Sequence, residues 1–367
     1  MKVILCGGGT SGHVNPAINI AKTIQQRYPD AEIMFIGTKR GIESSLVPKA
    51  GYKIDFVEVS GFSRKLTIKN VKAAWRALTS VSAAKKIIKK FSPDLVIGTG
   101  GYVSWPTVKA ASKLGIPTLI HEQNAFPGVT TKMLSKVVNK VCISFAGSEK
   151  FFDESCRSKL TLTGNPVIVD GISREEARAK LGIAMDEPYI LSYGGSMGAE
   201  KVNEYVFDLM REYSIPQKIR HTHAIGRVGY AKFSEIAKNE GFHNHSNLEI
   251  SEYIYDMNLR QAAADIIICR AGAMTLSELA IRGRASILIP SPNVTEDHQY
   301  KNARLLADAG AAIVCRESET DGKLIAKYAK ELLSNKNKRV RMEESIKAFA
   351  MPNSIELIVD NALSLLK

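Results

Sequence analysis

Short apolar runs bounded by Gly, Pro or Asp alternate along this chain with longer stretches of helical spacing. Lys2–Cys6, Glu32–Ile36, Leu95–Ile97, Thr118–Ile120 and Lys140–Ile143 are continuous rather than alternating, the pattern of strands buried on both faces. Pro16–Arg27 and Ile68–Lys90 between them predict helices. Strand–helix alternation of this kind predicts an α/β fold with parallel sheets. The pattern restarts near residue 190, with strands expected at Tyr189–Ser192, Ile219–His223, Leu248–Ser251, Asp265–Cys269, Ala285–Ile289 and Ala312–Cys315. Gly164, Pro166 and Gly171 punctuate Thr161–Gly171 between the two series and place the junction there. The expected division is residues 1–164, residues 165–340, and a helical, basic tail over 341–367 that packs back on the first domain, with a break at Met351–Asn353.

Length agrees, since 367 residues suit two domains at roughly 150 residues each. No apolar window approaches the roughly 18 residues of a membrane span, and the apolar run in MKVILCGGGT is too short for a signal-peptide core. The five cysteines form no CxxC; Cys6, Cys142 and Cys269 lie in strand-like runs and are expected to be buried, in keeping with a reducing compartment. The net charge of +13 favours anionic partners, and its placement narrows them. Between Val59 and Pro93 stand nine cations (Arg64, Lys65, Lys69, Lys72, Arg76, Lys85, Lys86, Lys89, Lys90) and no acid.

The candidate chemistry begins at two similar strand–glycine-loop–helix units, VILCGGGTSGHVNPA and YILSYGGSMGAEKVN. Two copies in corresponding places suggest two similar domains facing a shared cleft. In the first, Gly7, Gly8, Gly9 and Gly12 surround Thr10 and Ser11, with Asn15 and Pro16 as expected N-cap and first helical residue. Such a loop either cradles an anion at the helix N-terminus or is simply a tight turn. No Gly-Lys-Ser/Thr follows, so it is not a P-loop, and no acidic residue closes a second strand as a dinucleotide fold requires. His13 stands where open α/β sheets bind substrate; it is either a general base or a hydrogen-bonding cap of its loop.

In the second half, Gly194–Ala199 repeats the loop logic, with Ser196 able to hold a phosphate. CRAGAMTLSE (Cys269–Glu278) leads from a strand into an apolar-striped helix. There Glu278 either accepts both hydroxyls of a ribose or satisfies the helix N-terminus. SPNVTEDHQY (Ser291–Tyr300) reads as a polar loop that hydrogen-bonds a sugar or nucleotide. Consecutive Glu296, Asp297 and His298 suit one metal ion poorly, and no Asp-x-Asp occurs. The site is therefore expected to be metal-free, with loop N–H groups, helix dipoles and Arg270 meeting any diphosphate charge.

Eight segments in fixed order resemble the MurG family, the UDP-N-acetylglucosamine transferases of peptidoglycan synthesis. They are GGTSGHVNPA, GGYVSWP, HEQNAFPG, TGNPV, GGSMGA, YIYDM, CRAGAMTLSE and EDHQYKNA, and they span nearly the whole chain. The resemblance implies a GT-B glycosyltransferase fold of two Rossmann-like domains, the first facing acceptor and membrane and the second binding donor. It implies inverting transfer of GlcNAc from UDP-GlcNAc to the MurNAc C4 hydroxyl of lipid I, giving lipid II and UDP without a cofactor. Carried onto this chain, it puts Thr10, Ser11 and Gly12 at the cleft, Asn124 on the donor sugar and Ser196 on the diphosphate. Ile254 frames the uracil. Ala273, Met274, Thr275, Leu276, Ser277 and Glu278 hold the nucleotide, with Glu278 on the ribose, and Gln299 reads the sugar. His13 becomes the preferred base. Three positions depart from the pattern: Ser11 replaces a common glycine, Met197 stands where many members have Gln, and Ile168 where many have Arg.

The basic stretch takes its meaning from that acceptor. Leu66–Lys90 interleaves apolar residues such as Val71, Trp75 and Val81 with its cations. A lipid acceptor with a diphosphate head needs a patch of that kind, joined by Trp105, on an anionic membrane surface. The expected location is peripheral, at the cytoplasmic face of the cell membrane. Rival classes are a UDP-sugar 2-epimerase, opposed by HEQNAFPG and the acid-free stretch, and a dinucleotide oxidoreductase, opposed by the missing ribose acid. Nucleic acid is not expected as a partner, since no binding motif accompanies the charge.

Overall fold

A computed structural model describes residues 1–59 and 79–366 in full and residues 68–78 as helical backbone only. Its first sheet holds seven parallel strands: β1 (Lys2–Gly7), β2 (Glu32–Gly37), β3 (Lys53–Phe56), β4 (Leu95–Gly100), β5 (Thr118–Glu122), β6 (Lys140–Ile143) and β7 (Leu160–Leu162), in the order β3-β2-β1-β4-β5-β6-β7. The order reverses between β1 and β4, and at such a switch point the carboxyl ends of the strands open a crevice. The continuous apolar runs are the central strands. Val3, Ile4, Leu5 and Val96 are fully buried because helices cover both sheet faces. The edge strands β3 and β7 escape the sequence reading because neither has a continuous apolar run; KIDF alternates exposed and half-buried residues.

The second sheet repeats the scheme with β8 (Tyr189–Tyr193), β9 (Arg220–Ala224), β10 (Leu248–Ser251), β11 (Ile266–Cys269), β12 (Ala285–Leu288) and β13 (Ile313–Val314), ordered β10-β9-β8-β11-β12-β13 and parallel throughout. Its core joins Ile190, Val206, Phe207, Phe233, Ile268 and Ile287. All five cysteines are free and buried.

The chain divides into one unit of Met1–Ile168 with Met351–Lys367 and a second of Val169–Ala350. The helix Lys336–Lys347 sends Met342 into the second core, so a boundary at residue 340 falls inside a helix. The helix Ser354–Leu363 buries Ile358, Val359 and Ala362 beside Val14, Ala17 and Ile20 in the first unit.

The first long helix runs over Ser11–Arg27 and starts five residues before the expected Pro16. Thr10, not Asn15, is its N-cap, and its carbonyl accepts the His13 and Val14 N–H groups at 3.1 Å. Pro16 therefore lies inside the helix, where it removes the donor that would reach the Gly12 carbonyl. The shift places His13 on the first turn.

Candidate functional site

In the first unit, the loop after β1 is held from below. The Gly9 N–H donates to Glu43 Oε2 at 3.0 Å, and Glu43 Oε1 accepts the Thr38 N–H at 3.0 Å and the Thr38 hydroxyl at 2.6 Å. Burial pushes the Glu43 carboxyl up, but the hydrogen bonds from Thr38 and Gly9 outweigh it and hold the group below the usual carboxylate range. A charged, buried Glu43 thus anchors the glycine loop, a role not legible in GTKRGIE.

His13 projects from this helix start onto the ends of the neighbouring strands. Its Nδ1 lies 3.1 Å from the Thr99 carbonyl oxygen and 3.1 Å from Gln123 Oε1, and the Thr99 hydroxyl donates to the His13 carbonyl at 2.7 Å. A carbonyl can only accept, so Nδ1 carries the proton and Nε2 keeps the lone pair. Among the described residues Nε2 has no hydrogen-bond partner. The position is shaped for this ring. At Gly100, with φ at +107°, a Cβ would stand 2.6 Å from Nδ1; at Gly7 it would stand 2.1 Å from the Thr99 hydroxyl. His13 bonds to β4 and to the segment after β5, so it is not the cap of its own loop. Thr10 and Gly12 are exposed beside it and Ser11 is half-buried.

Asn124 follows β5. Glu122, almost fully buried, accepts the Asn124 N–H at 3.0 Å, its side-chain amide at 3.1 Å and the Gly128 N–H at 3.1 Å. Glu122 therefore shapes the HEQNAFPG turn, and Thr99, Gln123 and Glu122 join the residues that the sequence did not single out by role. Trp105 packs against the core of this unit with Lys109 over its ring.

In the second unit, the loop after β8 is pinned by the turn after β9. The Arg227 and Val228 N–H groups donate to the Ser196 and Met197 carbonyls at 3.3 and 3.0 Å. Gly198, at φ +84°, packs so closely that a Cβ would stand 2.4 Å from the Ile225 carbonyl oxygen. Ser196 and Met197 are left exposed. After β11 the chain enters the helix Ala273–Arg282. Leu276 and Ala273 face the core, so only their backbone is available to a ligand; Met274, Thr275, Ser277 and Glu278 are half-buried.

Glu278 is the sixth residue of this helix, too far along to satisfy its N-terminus. Its Oε2 accepts the Gln261 amide at 3.2 Å, and the same amide donates to the Tyr193 hydroxyl at 3.1 Å. Burial raises the Glu278 pKa against the lowering effects of Gln261 and Arg282. Ile254 is buried between exposed Tyr253 and Tyr255, whose rings lie 5.0 Å apart.

The polar segment after β12 is only partly a loop, because a helix begins at His298. Glu296 and Asp297 both take left-handed backbone angles, φ +59° and +53°, unusual for residues with a Cβ. Gln299 Oε1 accepts the Ser291 N–H at 2.9 Å, which fixes the amide on this turn. Arg270 differs from expectation. It donates to the Ile289 and Pro290 carbonyls at 3.0 and 3.2 Å and pairs with Glu317, so it clamps strand ends instead of offering its charge to a ligand. Ile168 is half exposed. Among the described residues no three His, Cys, Asp or Glu side chains converge on a possible metal position.

Parallel strands put all these groups at carboxyl edges. Thr10 to His13, Gln123 and Asn124 follow β1 and β5; Ser196, Ile254, Ala273 to Glu278 and Gln299 follow β8, β10, β11 and β12. These are the places where open α/β sheets bind ligands.

Two family models match the chain: the glycosyltransferase family 28 N-terminal domain over residues 3–143 and the corresponding C-terminal domain over residues 189–358. A protein of Acetivibrio thermocellus is 45% identical, the match covering 100% of this chain and 99% of the relative. One of Alkaliphilus oremlandii is 44% identical, covering 91% of each. Both bear the name UDP-N-acetylglucosamine–N-acetylmuramyl-(pentapeptide) pyrophosphoryl-undecaprenol N-acetylglucosamine transferase. Among solved structures, Acinetobacter baumannii MurG superposes with a TM-score of 0.78 at 30% identity, covering 99% of both chains. The UDP-GlcNAc 2-epimerase of Neisseria meningitidis reaches 0.65 at 14% identity, a likeness of fold alone.

Proposed function

From the premise that this chain belongs to glycosyltransferase family 28, among the transferases of the MurG type with their GT-B fold, we propose that it moves GlcNAc from UDP-GlcNAc to lipid I, forming lipid II and UDP. The observation that carries this is the 45% identity over the full chain to a relative so named. The rest of the reading carries the family resemblance onto the residues of the site. The acceptor is the MurNAc C4 hydroxyl. Its oxygen forms the new bond to the anomeric carbon while the bond to UDP breaks, with inversion. His13 Nε2 takes the hydroxyl proton, and UDP leaves with the electron pair. A positioned base of this kind contributes roughly 10²–10⁴-fold. Ser196, the Gly194–Ala199 backbone and the N-terminus of the Ala273–Arg282 helix meet the diphosphate. Glu278 receives the ribose hydroxyls, Ile254 lies under the uracil, and Asn124 and Gln299 read the sugar, as do Thr10, Ser11 and Gly12 where the hydroxyl arrives.

Mass spectrometry of the products decides between transferase and epimerase chemistry. Lipid I with UDP-GlcNAc should yield a lipid heavier by one GlcNAc, together with UDP. A UDP-sugar epimer formed from UDP-GlcNAc alone, with lipid I unchanged, would overturn the proposal.

The lipid acceptor also calls for a membrane surface. Among the described residues no helix is long and apolar enough to cross a membrane, and we read the attachment as peripheral, at the cytoplasmic face. Lys86, Lys89 and Lys90 are exposed and Lys85 is half-buried on the helix Ile68–Phe91; Arg64, Lys65, Lys69, Lys72, Trp75 and Arg76 lie outside the fully described residues. Each cation near an anionic leaflet contributes about 1 kcal/mol. Co-sedimentation with vesicles containing anionic lipid should fall when Lys85, Lys86, Lys89 and Lys90 become Glu; undiminished binding refutes the patch.

A further inference from the structure

The hydrogen bonds behind His13 continue past Gln123, and their polarity is fixed at both ends. At the far end, His121 Nε2 lies 2.9 Å from the Gly164 carbonyl oxygen. That oxygen can only accept, so Nε2 carries the proton. The imidazole is almost fully buried, and burial lowers its pKa to about 4, so it is neutral at physiological pH and its Nδ1 is an acceptor. The atom facing Nδ1 is Gln123 Nε2, at 2.9 Å. An acceptor there requires the amide nitrogen of Gln123 and turns the amide oxygen the other way. That oxygen is the one 3.1 Å from His13 Nδ1. At the near end, the Thr99 carbonyl independently requires the proton on His13 Nδ1. The two ends are set by different backbone carbonyls, and they agree.

We propose that Gln123 and His121 are positioning residues that hold His13 as its Nδ1–H tautomer, with the Nε2 lone pair presented to the acceptor hydroxyl. The role rests on the reading of His13 as base. Neither residue needs to touch substrate. Gln123 is 2% and His121 1% exposed, and both are committed to the chain of hydrogen bonds. The His121–Gly164 link serves to orient the amide. Without it the amide can rotate and offer N–H to His13, which opposes the Thr99 carbonyl at Nδ1 and weakens the hold on the ring and its tautomer. Ser144 supports the same end, its hydroxyl 3.3 Å from His121 Nε2 and donating to the Glu122 carbonyl at 2.6 Å. A tautomer error beside an intact site is costly because a general base without its lone pair forfeits the whole of its contribution.

Two experiments separate this proposal from the reading beneath it. The first needs no variant: side-chain ¹⁵N chemical shifts of the histidines in the intact protein, above neutral pH. His13 is expected protonated at Nδ1 and His121 at Nε2; a His13 proton on Nε2 overturns the proposal whatever the activity. The second is kinetic. Gln123→Leu should lower kcat at least about tenfold, inside the range a base contributes, with the KM for UDP-GlcNAc unchanged within about twofold. His121→Leu should do the same, and the double variant should be no worse than Gln123→Leu alone, since the two act in series. Gln123→Glu keeps an oxygen for His13 and should recover most of the turnover lost in Gln123→Leu. Unchanged kcat in Gln123→Leu, or strictly additive losses, removes the positioning role. The base reading fails by a different result, undiminished kcat in His13→Ala.

Discussion

If Glu278 binds the nucleotide and His13 is the base, as proposed, variants should separate affinity from turnover. A hydrogen bond to a charged group contributes about 1.5–3 kcal/mol, so Glu278→Ala should weaken UDP binding roughly 10- to 100-fold with little change in saturated turnover. Only the ionised carboxylate accepts both ribose hydroxyls. Burial raises the Glu278 pKa, so UDP affinity should decline as pH falls through that raised value, at higher pH than for an exposed carboxylate. Calorimetric titration of UDP across mildly acidic pH checks both statements; an affinity indifferent to Glu278→Ala refutes the ribose contact. Sequence reading reached Glu278 through its place after an apolar strand but left two roles open. The structure argues against one of them, since the sixth residue of a helix cannot serve its N-terminus, and the ribose contact is what the titration tests. Gln261, its partner, carries no local signal in NLRQAAAD.

At the scale of elements, the second unit is held by a buried ionic knot. Asp265 sits just before β11 and accepts from the Tyr189 N–H at 2.8 Å and from Arg178 at 2.7 Å, while Arg174 pairs with its other oxygen and Arg339 lies 3.7 Å away. Arg178 is almost fully buried and also donates to the Ala263, Ala184 and Glu187 carbonyls. The knot thus ties β8, the segment before β11, and the helices Arg174–Leu181 and Lys336–Lys347 together. Removing one partner of a buried pair costs about 3–5 kcal/mol, because the other charge is left uncompensated. Asp265→Ala should destabilise the second unit by that amount in urea, followed through loss of UDP binding; a change under about 1 kcal/mol would show that the arginines find other acceptors. The residue types announced none of this, since REEARAK reads as an ordinary exposed helix. The strands are the opposite case: their apolar runs were visible wherever burial is two-sided, and β3 and β7, KIDF and LTL, were not because neither carries such a run.

For the molecule as a whole, both units bury neutral histidines, and this sets its acid stability. His223 bonds to Ser192 at 2.9 Å and to Asn203 at 3.1 Å inside the second core, where burial lowers its pKa to about 3; burial holds His121 at about 4 in the first unit. Each sits below the ordinary value of 6.5. Below pH 6.5 the unfolded chain therefore binds protons that the folded chain refuses. Stability is full above that pH and falls toward the folded pKa values, by about 1.4 kcal/mol per pH unit for each histidine. The melting temperature should begin to drop near pH 6.5, and His223→Gln should flatten the drop. A melting temperature constant from pH 7 to 5 contradicts this.

What the chain determined by itself is whatever local pattern can carry: two α/β halves, parallel central strands, two glycine loops at strand ends and a set of motifs specific enough to name a family. Tertiary structure alone decided where protons sit. His13, Thr99, Gln123, His121 and Gly164 come from the ends of four strands, β1, β4, β5 and β7, and meet only because the parallel sheet places their carboxyl ends on one edge. Whether a histidine is a base depends on which nitrogen faces a carbonyl, a matter of a few tenths of an ångström between residues about a hundred positions apart. No spacing along the sequence encodes that distance; the sheet does.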